Sequence, residues 1–208
     1  MREHFLRGLK LRGMSASFSG RSWWQQLELQ WRHAFAEAYR KQDAEPSEEE
    51  FLSFFSAPAI RFAGPTAPFP NMNFELTNLS GITAFTQLQI LVVTHQQLET
   101  ITEVSELTGL TDLFLIGNRI ESLEGIERLT RLERLYVQEN KIDSLLPIKD
   151  LINLKELHVN NNCLSSLDGL TEAHADKLEV FYCKNNPALK RKEILAVERE
   201  LGIRCRDC

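Results

Sequence analysis

The middle of the chain alternates apolar and polar residues in a pattern that recurs every 22 residues. Each repeated segment follows L-x-x-L-x-L-x-x-N-x-L closely. The segments begin at Leu88, Leu110, Leu132, Leu154 and Leu178, so the last spacing is 24 residues. A fixed period of this length is typical of solenoids, in which each repeat is one structural unit that stacks on the next. The sequence therefore predicts a stacked array.

Strand geometry divides the positions of each segment between two faces, because successive side chains of a strand point to opposite sides. The fourth and sixth positions are expected to fill the core, and they are Leu91 and Val93, Leu113 and Leu115, Leu135 and Val137, Leu157 and Val159, Phe181 and Cys183. The third, fifth and seventh positions point the other way, onto what we name the sheet face. Strands of successive segments then lie side by side in a parallel sheet.

A degenerate unit precedes the first full segment. Leu76, Leu79, Ile82 and Phe85 stand at the offsets that apolar residues occupy in the second half of the later units. We expect the strand of this unit near PFPNMNF, residues 68–74.

The ninth position of most segments is an asparagine, whose amide can both donate and accept hydrogen bonds. At a turn such a side chain can bond backbone groups of its own coil and of the neighbouring coil. The predicted ladder consists of Asn118, Asn140, Asn162 and Asn186. Gln96 occupies the same position in the first segment.

These segments resemble the leucine-rich repeat family, specifically the short 22-residue class of internalins and phosphatase-regulator-like proteins. The resemblance covers about residues 66–188. It implies an α/β solenoid, a curved array with a parallel sheet on its concave face and short 3₁₀ or extended segments on its convex face. Residues 171–177 exceed their equivalents by two residues, so we expect a bulge or helical turn there.

The ends of the chain carry the material that covers the apolar edges of terminal coils. Ser22 and Gln25 fit a capping box, and the apolar periodicity after them predicts a helix over 22–41. Ser47 and Glu50 signal a second helix over 47–56. At the other end, a helix is expected from about 188 to 201, with Ile194, Leu195, Val197 and Leu201 covering the last coil.

The expected organisation is a flexible arm (1–21), a helical N-terminal cap (22–65), about five repeats after a degenerate first unit (66–188), and a C-terminal cap helix with a tail (189–208). WWQQLELQW and RFAGPTAPFPN in the cap resemble segments that precede repeats in bacterial proteins, which implies a bacterial source.

Charge and hydropathy narrow the function classes. Residues 66–187 carry a net charge of −8, which argues against nucleic acid as a partner, because a phosphate binder needs a basic surface. No stretch approaches 18 apolar residues, so no membrane span is expected. The N-terminus lacks the apolar run of a secretory signal, and the four cysteines form no dense framework. Both features favour a cytoplasmic location.

Candidate chemistry is sparse. Cys205 and Cys208 form C-x-x-C, but no second cysteine pair or histidine pair lies near to complete a zinc site, so an exposed tail dithiol is the simpler interpretation. Cys183 and Cys163 are not expected to pair with them. His95 and His158 are about three repeats apart, too far to share a metal. We therefore expect no enzyme activity, no metal and no cofactor.

The fifth positions of the segments form a column rich in aromatic residues: Val92, Phe114, Tyr136, His158 and Tyr182. Aromatic residues are enriched where proteins bind partners, although cross-strand contacts alone also favour them. The predicted partner-binding residues on the sheet face are Val92, Asp112, Phe114, Ile116, Arg134, Tyr136, Glu156, His158, Tyr182 and Lys184.

The sequence thus predicts a non-catalytic, monomeric module that binds a partner protein or peptide on the concave sheet face. A regulatory subunit of an enzyme such as a phosphatase remains an alternative, as the resemblance implies. An exported internalin-like adhesin is a further alternative, although the absence of a signal peptide speaks against it.

Overall fold

The computed structural model describes residues 19–40 and 44–206. Most of the expected arm (1–21) and Cys208 lie outside these residues. In the described part of the chain, six strands form one sheet in the order β1 to β6, and every neighbouring pair is parallel. The strands are β1 Ala59–Ala63, β2 Ile90–Thr94, β3 Asp112–Phe114, β4 Arg134–Tyr136, β5 Glu156–His158 and β6 Val180–Tyr182. The α/β solenoid expected from the sequence is confirmed.

The core of the array consists of the apolar positions that the repeat predicts. All ten core residues of the five segments are buried, including Cys183 at 2% exposure. Short 3₁₀ turns follow several strands, at Ser80–Ile82, Thr102–Glu106 and Leu146–Ile148. They bury Ile82, Val104 and Ile148 against the sheet. Each coil therefore contributes one strand and one apolar return segment, which gives the array its constant period.

The asparagine ladder is present and links each coil to the one before it. Asn140 Oδ1 accepts from Ile120 N of the preceding coil at 3.0 Å, while its Nδ2 donates to Leu115 O and Val137 O at 2.9 and 3.1 Å. Equivalent bonds are made by Asn118, Asn162 and Asn186. Gln96 joins the ladder, since its Oε1 accepts from Leu76 N at 2.6 Å.

The eighth position of each segment has left-handed backbone geometry. It is occupied by His95, Gly117, Glu139, Asn161 and Asn185, with φ between 54° and 67°. Glycine and asparagine tolerate this region, whereas other residues adopt it at a cost. Gly117 has a second constraint, because a Cβ there would come within 3.1 Å of the His95 ring. The chain must turn at this point so that the ladder amide can enter the core.

The first strand corrects one sequence expectation. It lies at Ala59–Ala63, where Ile60 and Phe62 point into the core, and not near residues 68–74. Ala59 pairs with Ile90, so paired residues of β1 and β2 are 31 positions apart in the sequence, compared with 22 positions for Ile90 and Asp112 of β2 and β3. A loop inserted after Gly64 accounts for the larger offset. Gly64, directly after β1, lies against the backbone of the next coil, and a Cβ on it would lie only 1.8 Å from His95 O.

The N-terminal cap consists of α1 (Gly20–Gln26), α2 (Leu29–Phe35) continued by a π-helical turn (Ala36–Arg40), and α3 (Glu48–Ser56). The expected continuous helix over 22–41 and its Ser22–Gln25 capping box are both wrong. Ser19 is the N-cap of α1, and the chain breaks at Glu28, whose carboxylate accepts from Asn78 and Ser80 of the first coil.

Aromatic packing attaches the cap to the first coil. Trp31 is fully buried, and its ring occupies the space that a Cβ on Gly81 would need. Phe35 stacks on Phe85 with ring centroids 5.7 Å apart. The predicted capping box of Ser47 and Glu50 at the start of α3 is confirmed.

The C-terminal side contains α4 (Glu172–Ala175) and α5 (Arg191–Glu200). The helical turn expected within 171–177 is confirmed by α4, which buries His174 completely. Helix α5 is shorter than the expected 188–201. Ile194 and Val197 pack against the core, but Leu195 is 50% exposed and does not cover the last coil as expected.

Replacing the ladder residue Asn140 by Leu should lower the free energy of unfolding by about 3 kcal/mol, because at least two buried backbone groups lose their partner. Chemical denaturation measures the difference. Asn160→Leu is the matched control, since the Asn160 side chain makes no hydrogen bond within the described residues. Equal stability of the two variants would contradict the ladder.

Replacing Glu139 by Asn should raise the free energy of unfolding by about 1 kcal/mol, because asparagine accepts the left-handed geometry at lower cost. Glu139 is exposed, so no packing is lost. The control is Glu99→Asn, an exposed glutamate without positive φ. A gain of the same size in both variants would show that backbone geometry is not the cause.

Stability should depend on pH through His174. Burial lowers its pKa below the ordinary value of 6.5, while Nε2 bonds Ile148 O at 3.3 Å and Nδ1 accepts from Thr171 N at 3.1 Å. The unfolded chain therefore takes up this proton at a higher pH than the folded protein does. The free energy of unfolding should fall as pH drops below about 6.5.

His174→Gln should make this decline shallower in denaturation series at successive pH values, because all other titrating groups are common to both proteins. Identical pH dependence of the variant and the wild type would exclude His174 as its source.

Candidate functional site

The sheet face consists of three columns of side chains that cross the strands. Strand register aligns the third positions and the fifth positions of successive segments as the repeat predicts. The third column is Ile90, Asp112, Arg134, Glu156 and Val180, and the fifth is Val92, Phe114, Tyr136, His158 and Tyr182. These two columns contain eight of the ten predicted partner-binding residues, all at least partly exposed except Asp112, while Ile116 and Lys184 stand at seventh positions.

The aromatic column is a continuous stack. Phe114 meets Tyr136 edge to face with centroids 4.8 Å apart. Tyr136 and His158 stack at 3.9 Å with their planes 23° apart, and His158 lies 4.7 Å from Tyr182. Each such pair adds about 1 kcal/mol beyond area burial. The rings thus stabilise the sheet and leave only part of each ring in contact with solvent.

Charged groups in the third column are already paired. Asp112 is only 3% exposed, and its carboxylate accepts from Thr111 Oγ1 at 2.6 Å and from the Arg134 guanidinium. The hydrogen bond to Asp112 raises the pKa of Arg134 above its ordinary value. Asp112 therefore lies beneath Arg134 and orients it, while the Arg134 side chain stays 45% exposed.

Tyr136 is held by the next strand. Its hydroxyl donates to the Glu156 carboxylate. Burial, with a further contribution from that bond, raises the pKa of Tyr136 to about 12. The hydroxyl therefore stays protonated and engaged at neutral pH. Tyr136 presents an apolar ring to the face, and Glu156 has a fixed position beside it.

Burial between two rings lowers the pKa of His158 below its ordinary value, and the nearby Glu156 carboxylate opposes that shift. Its Nε2 is buried and has no hydrogen-bond partner among the described residues. The neighbouring Glu156 carboxylate accepts from Tyr136, and the imidazole packs between two rings as part of the aromatic stack.

The seventh positions form the remaining column of the face, the seventh column, which consists of the buried Thr94 followed by Ile116, Gln138, Asn160 and Lys184. Backbone bonds from the following residue align them, as in Gly117 N to Gln138 O at 3.1 Å and Glu139 N to Asn160 O at 3.1 Å. Gln138, Asn160 and Lys184, with His158 and Tyr182, line a shallow depression of about 310 Å³. Lys184 is exposed at its rim.

Two residues extend the face beyond the predicted set. Arg61 aligns with Val92 in the fifth column, and its guanidinium donates to Phe69 O. The Phe69 ring is 80% exposed beside it. The alternation of Ile60 and Phe62 is the sequence signal that could have placed Arg61 on the face.

Both edges of the sheet are covered. At β1, the Tyr39 hydroxyl accepts from Arg61 N at 2.6 Å, and Asn71 Oδ1 accepts from Ala63 N at 2.7 Å. At β6, the tail returns so that Arg206 N donates to Phe181 O at 2.7 Å. Occupied edges leave the sheet face as the accessible surface of the sheet.

The returning tail also corrects the expectation for the cysteines. The predicted tail dithiol includes Cys208, which lies outside the described residues, and Cys205 is the member of the pair that can be placed. Its sulfur lies 2.8 Å from Cys183 Sγ, a contact that was not expected from the sequence. Burial raises the pKa of the Cys183 thiol to about 12.

Within 19–40 and 44–206, no group of three or more histidine, cysteine, aspartate or glutamate side chains could hold a metal ion. In the same part of the chain, no helix combines the length and apolar character needed to cross a membrane.

No family model and no curated protein matches the chain. Among solved structures, a leucine-rich repeat protein of Leptospira interrogans is similar with a TM-score of 0.54 and 21% identity, over 71% of this chain and 41% of that one. Internalin C2 of Listeria monocytogenes has a TM-score of 0.48 and 23% identity, over 54% of this chain and 50% of that one.

The ectodomain of the receptor kinase SOBIR1 of Arabidopsis thaliana is similar with a TM-score of 0.49 and 26% identity, over 56% of this chain and 67% of that one. The chain thus matches half or less of the two bacterial proteins. Together with the 22-residue coils and the asparagine ladder, the similarity to the Leptospira protein shows that the chain has the fold of a leucine-rich repeat protein.

Proposed function

We propose that the protein is a non-catalytic interaction module that holds a partner protein or peptide against its sheet face. The observation that carries the proposal is the stack of half-buried rings, from Phe114 to Tyr182, on a sheet whose edges are covered. An aromatic centre with a polar rim is the usual anatomy of a protein interface.

Preorganisation of the face supports the proposal. Phe114, Tyr136 and His158 are held by stacking, and Arg134 and Glu156 by hydrogen bonds. Side chains that are already ordered lose little conformational entropy when a partner binds. The face therefore suits a partner that adapts to it, such as a peptide segment.

The apolar part of the face lies around Phe114, where Val92 and Ile116 are also half-buried. Large side chains at such positions are typical anchors of an interface. Covered sheet edges leave no free strand for a second copy to extend, which supports a module that works as a monomer.

Removal of the apolar anchors should abolish capture of the partner. In affinity purification from the native host, proteins recovered with the wild type should be lost with the Phe114→Ala/Tyr136→Ala double variant, because an anchor residue commonly contributes about 2 kcal/mol to binding. The matched control is Leu146→Ala/Ile152→Ala, which removes exposed apolar side chains outside the sheet face.

Thermal unfolding verifies that the variants are folded. Ile116→Asp is a second test that leaves the ring stack intact and places a charge on the apolar part of the face. Equal recovery of the same proteins with the wild type and with folded face variants would reject the sheet face as the binding surface.

A further inference from the structure

The seventh column contains polar side-chain groups that the described residues leave without a hydrogen-bond partner, as the fifth column does at His158 Nε2. Gln138 Oε1 is buried without a hydrogen-bond partner, and the Asn160 amide has none within the described residues. A buried amide oxygen without a partner, as at Gln138, is uncommon, because an intramolecular or bound partner normally satisfies it. Side chains of this type match the alternating donors and acceptors of a peptide backbone.

Lys184 supplies a cation at one end of this column. It is exposed and forms no ion pair within the described part of the chain. The two other cations of the sheet face are engaged, since Arg134 bonds Asp112 and Arg61 bonds Phe69 O. Lys184 is therefore the cation that remains open to a carboxylate from a partner.

Ile116 lies three strands away in the same column, beside Phe114 of the neighbouring column, and it is the last partly exposed side chain there because Thr94 beyond it is buried. The column thus runs from an apolar end, across two amides, to a free ammonium group. We infer that it binds an extended segment of a partner protein, with an apolar side chain at Ile116 and a carboxylate at Lys184. This inference rests on the proposed function of the sheet face.

The repeat spacing sets the distance between the two recognised groups. Ile116 and Lys184 are separated by three strand steps, which is about 14 Å at the usual strand separation. An extended chain advances about 3.4 Å per residue. The apolar side chain and the carboxylate should therefore be about four residues apart in the bound segment.

Overall charge restricts the rest of the segment. Residues 66–187 carry a net charge of −8, so the field of the array repels a strongly acidic peptide. A segment with one carboxylate and otherwise neutral or basic residues avoids this repulsion and still pairs with Lys184. The bound sequence should hence combine a leucine-like residue and a single acidic residue in a polar, non-acidic context.

The test is a set of fluorescently labelled synthetic peptides measured by fluorescence anisotropy with the full chain. Each peptide has one leucine and one glutamate, a serine- and threonine-rich remainder and an amidated C-terminus. The separation of leucine and glutamate is varied from about two to about seven residues. A second series lacks the glutamate and ends in a free carboxylate, which distinguishes a side-chain carboxylate from a chain terminus.

Affinity should be highest at a separation of about four residues, and glutamine in place of glutamate should weaken it by about fivefold. Lys184→Glu should weaken binding of the acidic peptides by about tenfold, because attraction becomes repulsion. Lys149→Glu is the matched control with the same charge change at an exposed lysine outside the sheet face. Asn160→Ala should weaken all peptides of the series alike.

Three results would overturn the inference: no dependence on the separation, equal effects of Lys184→Glu and Lys149→Glu, or no binding at concentrations up to about 1 mM. One further result would reject this inference and support the proposed function. In that case peptide affinity falls with Phe114→Ala/Tyr136→Ala, but does not change with Lys184→Glu or when glutamine replaces the glutamate of the peptide. Failure of the affinity purification together with failure of the peptides would reject both.

Discussion

One buried amide per coil is the interaction on which the array depends. At the end of each strand the chain turns inward, and its backbone N–H and C=O groups would be buried without partners if no side chain reached them. Asn118, Asn140, Asn162 and Asn186 bond those groups in their own coil and in the preceding one. Because each amide spans two coils, it determines how far one coil is shifted against the next. Strand register and the columns of the sheet face follow from that shift.

The same regularity makes the sheet face both structural and available for binding. Side chains 22 residues apart must lie side by side, so aromatic residues at the fifth positions necessarily stack. Stacking stabilises the sheet and holds Tyr136 and His158 in one orientation. Stabilisation and recognition are therefore compatible explanations of the aromatic column, since rings fixed by their neighbours can contact a partner at little entropic cost.

The sequence predicted the features that the period determines, namely the core, the ladder and the columns of the face. It failed where contacts are not periodic. Strand β1 is displaced because a loop follows Gly64, and the break at Glu28 is stabilised by contacts to a coil about fifty residues away. The proximity of Cys205 to Cys183 depends on a tail that folds back along β6. No local pattern encodes such contacts.

Side-chain pairing is the other feature that periodicity does not determine, and it decides which predicted site residues can meet a partner. The repeat places four charged residues on one face and gives no indication of which of them are paired: Asp112, Arg134, Glu156 and Lys184. In the folded chain, Asp112 is buried under Arg134, and Glu156 accepts from Tyr136. Lys184 is left without a carboxylate in the described residues. Specificity on a face of this kind depends less on how many charges it carries than on which of them the fold leaves unpaired, because groups already satisfied within the protein gain little from a ligand.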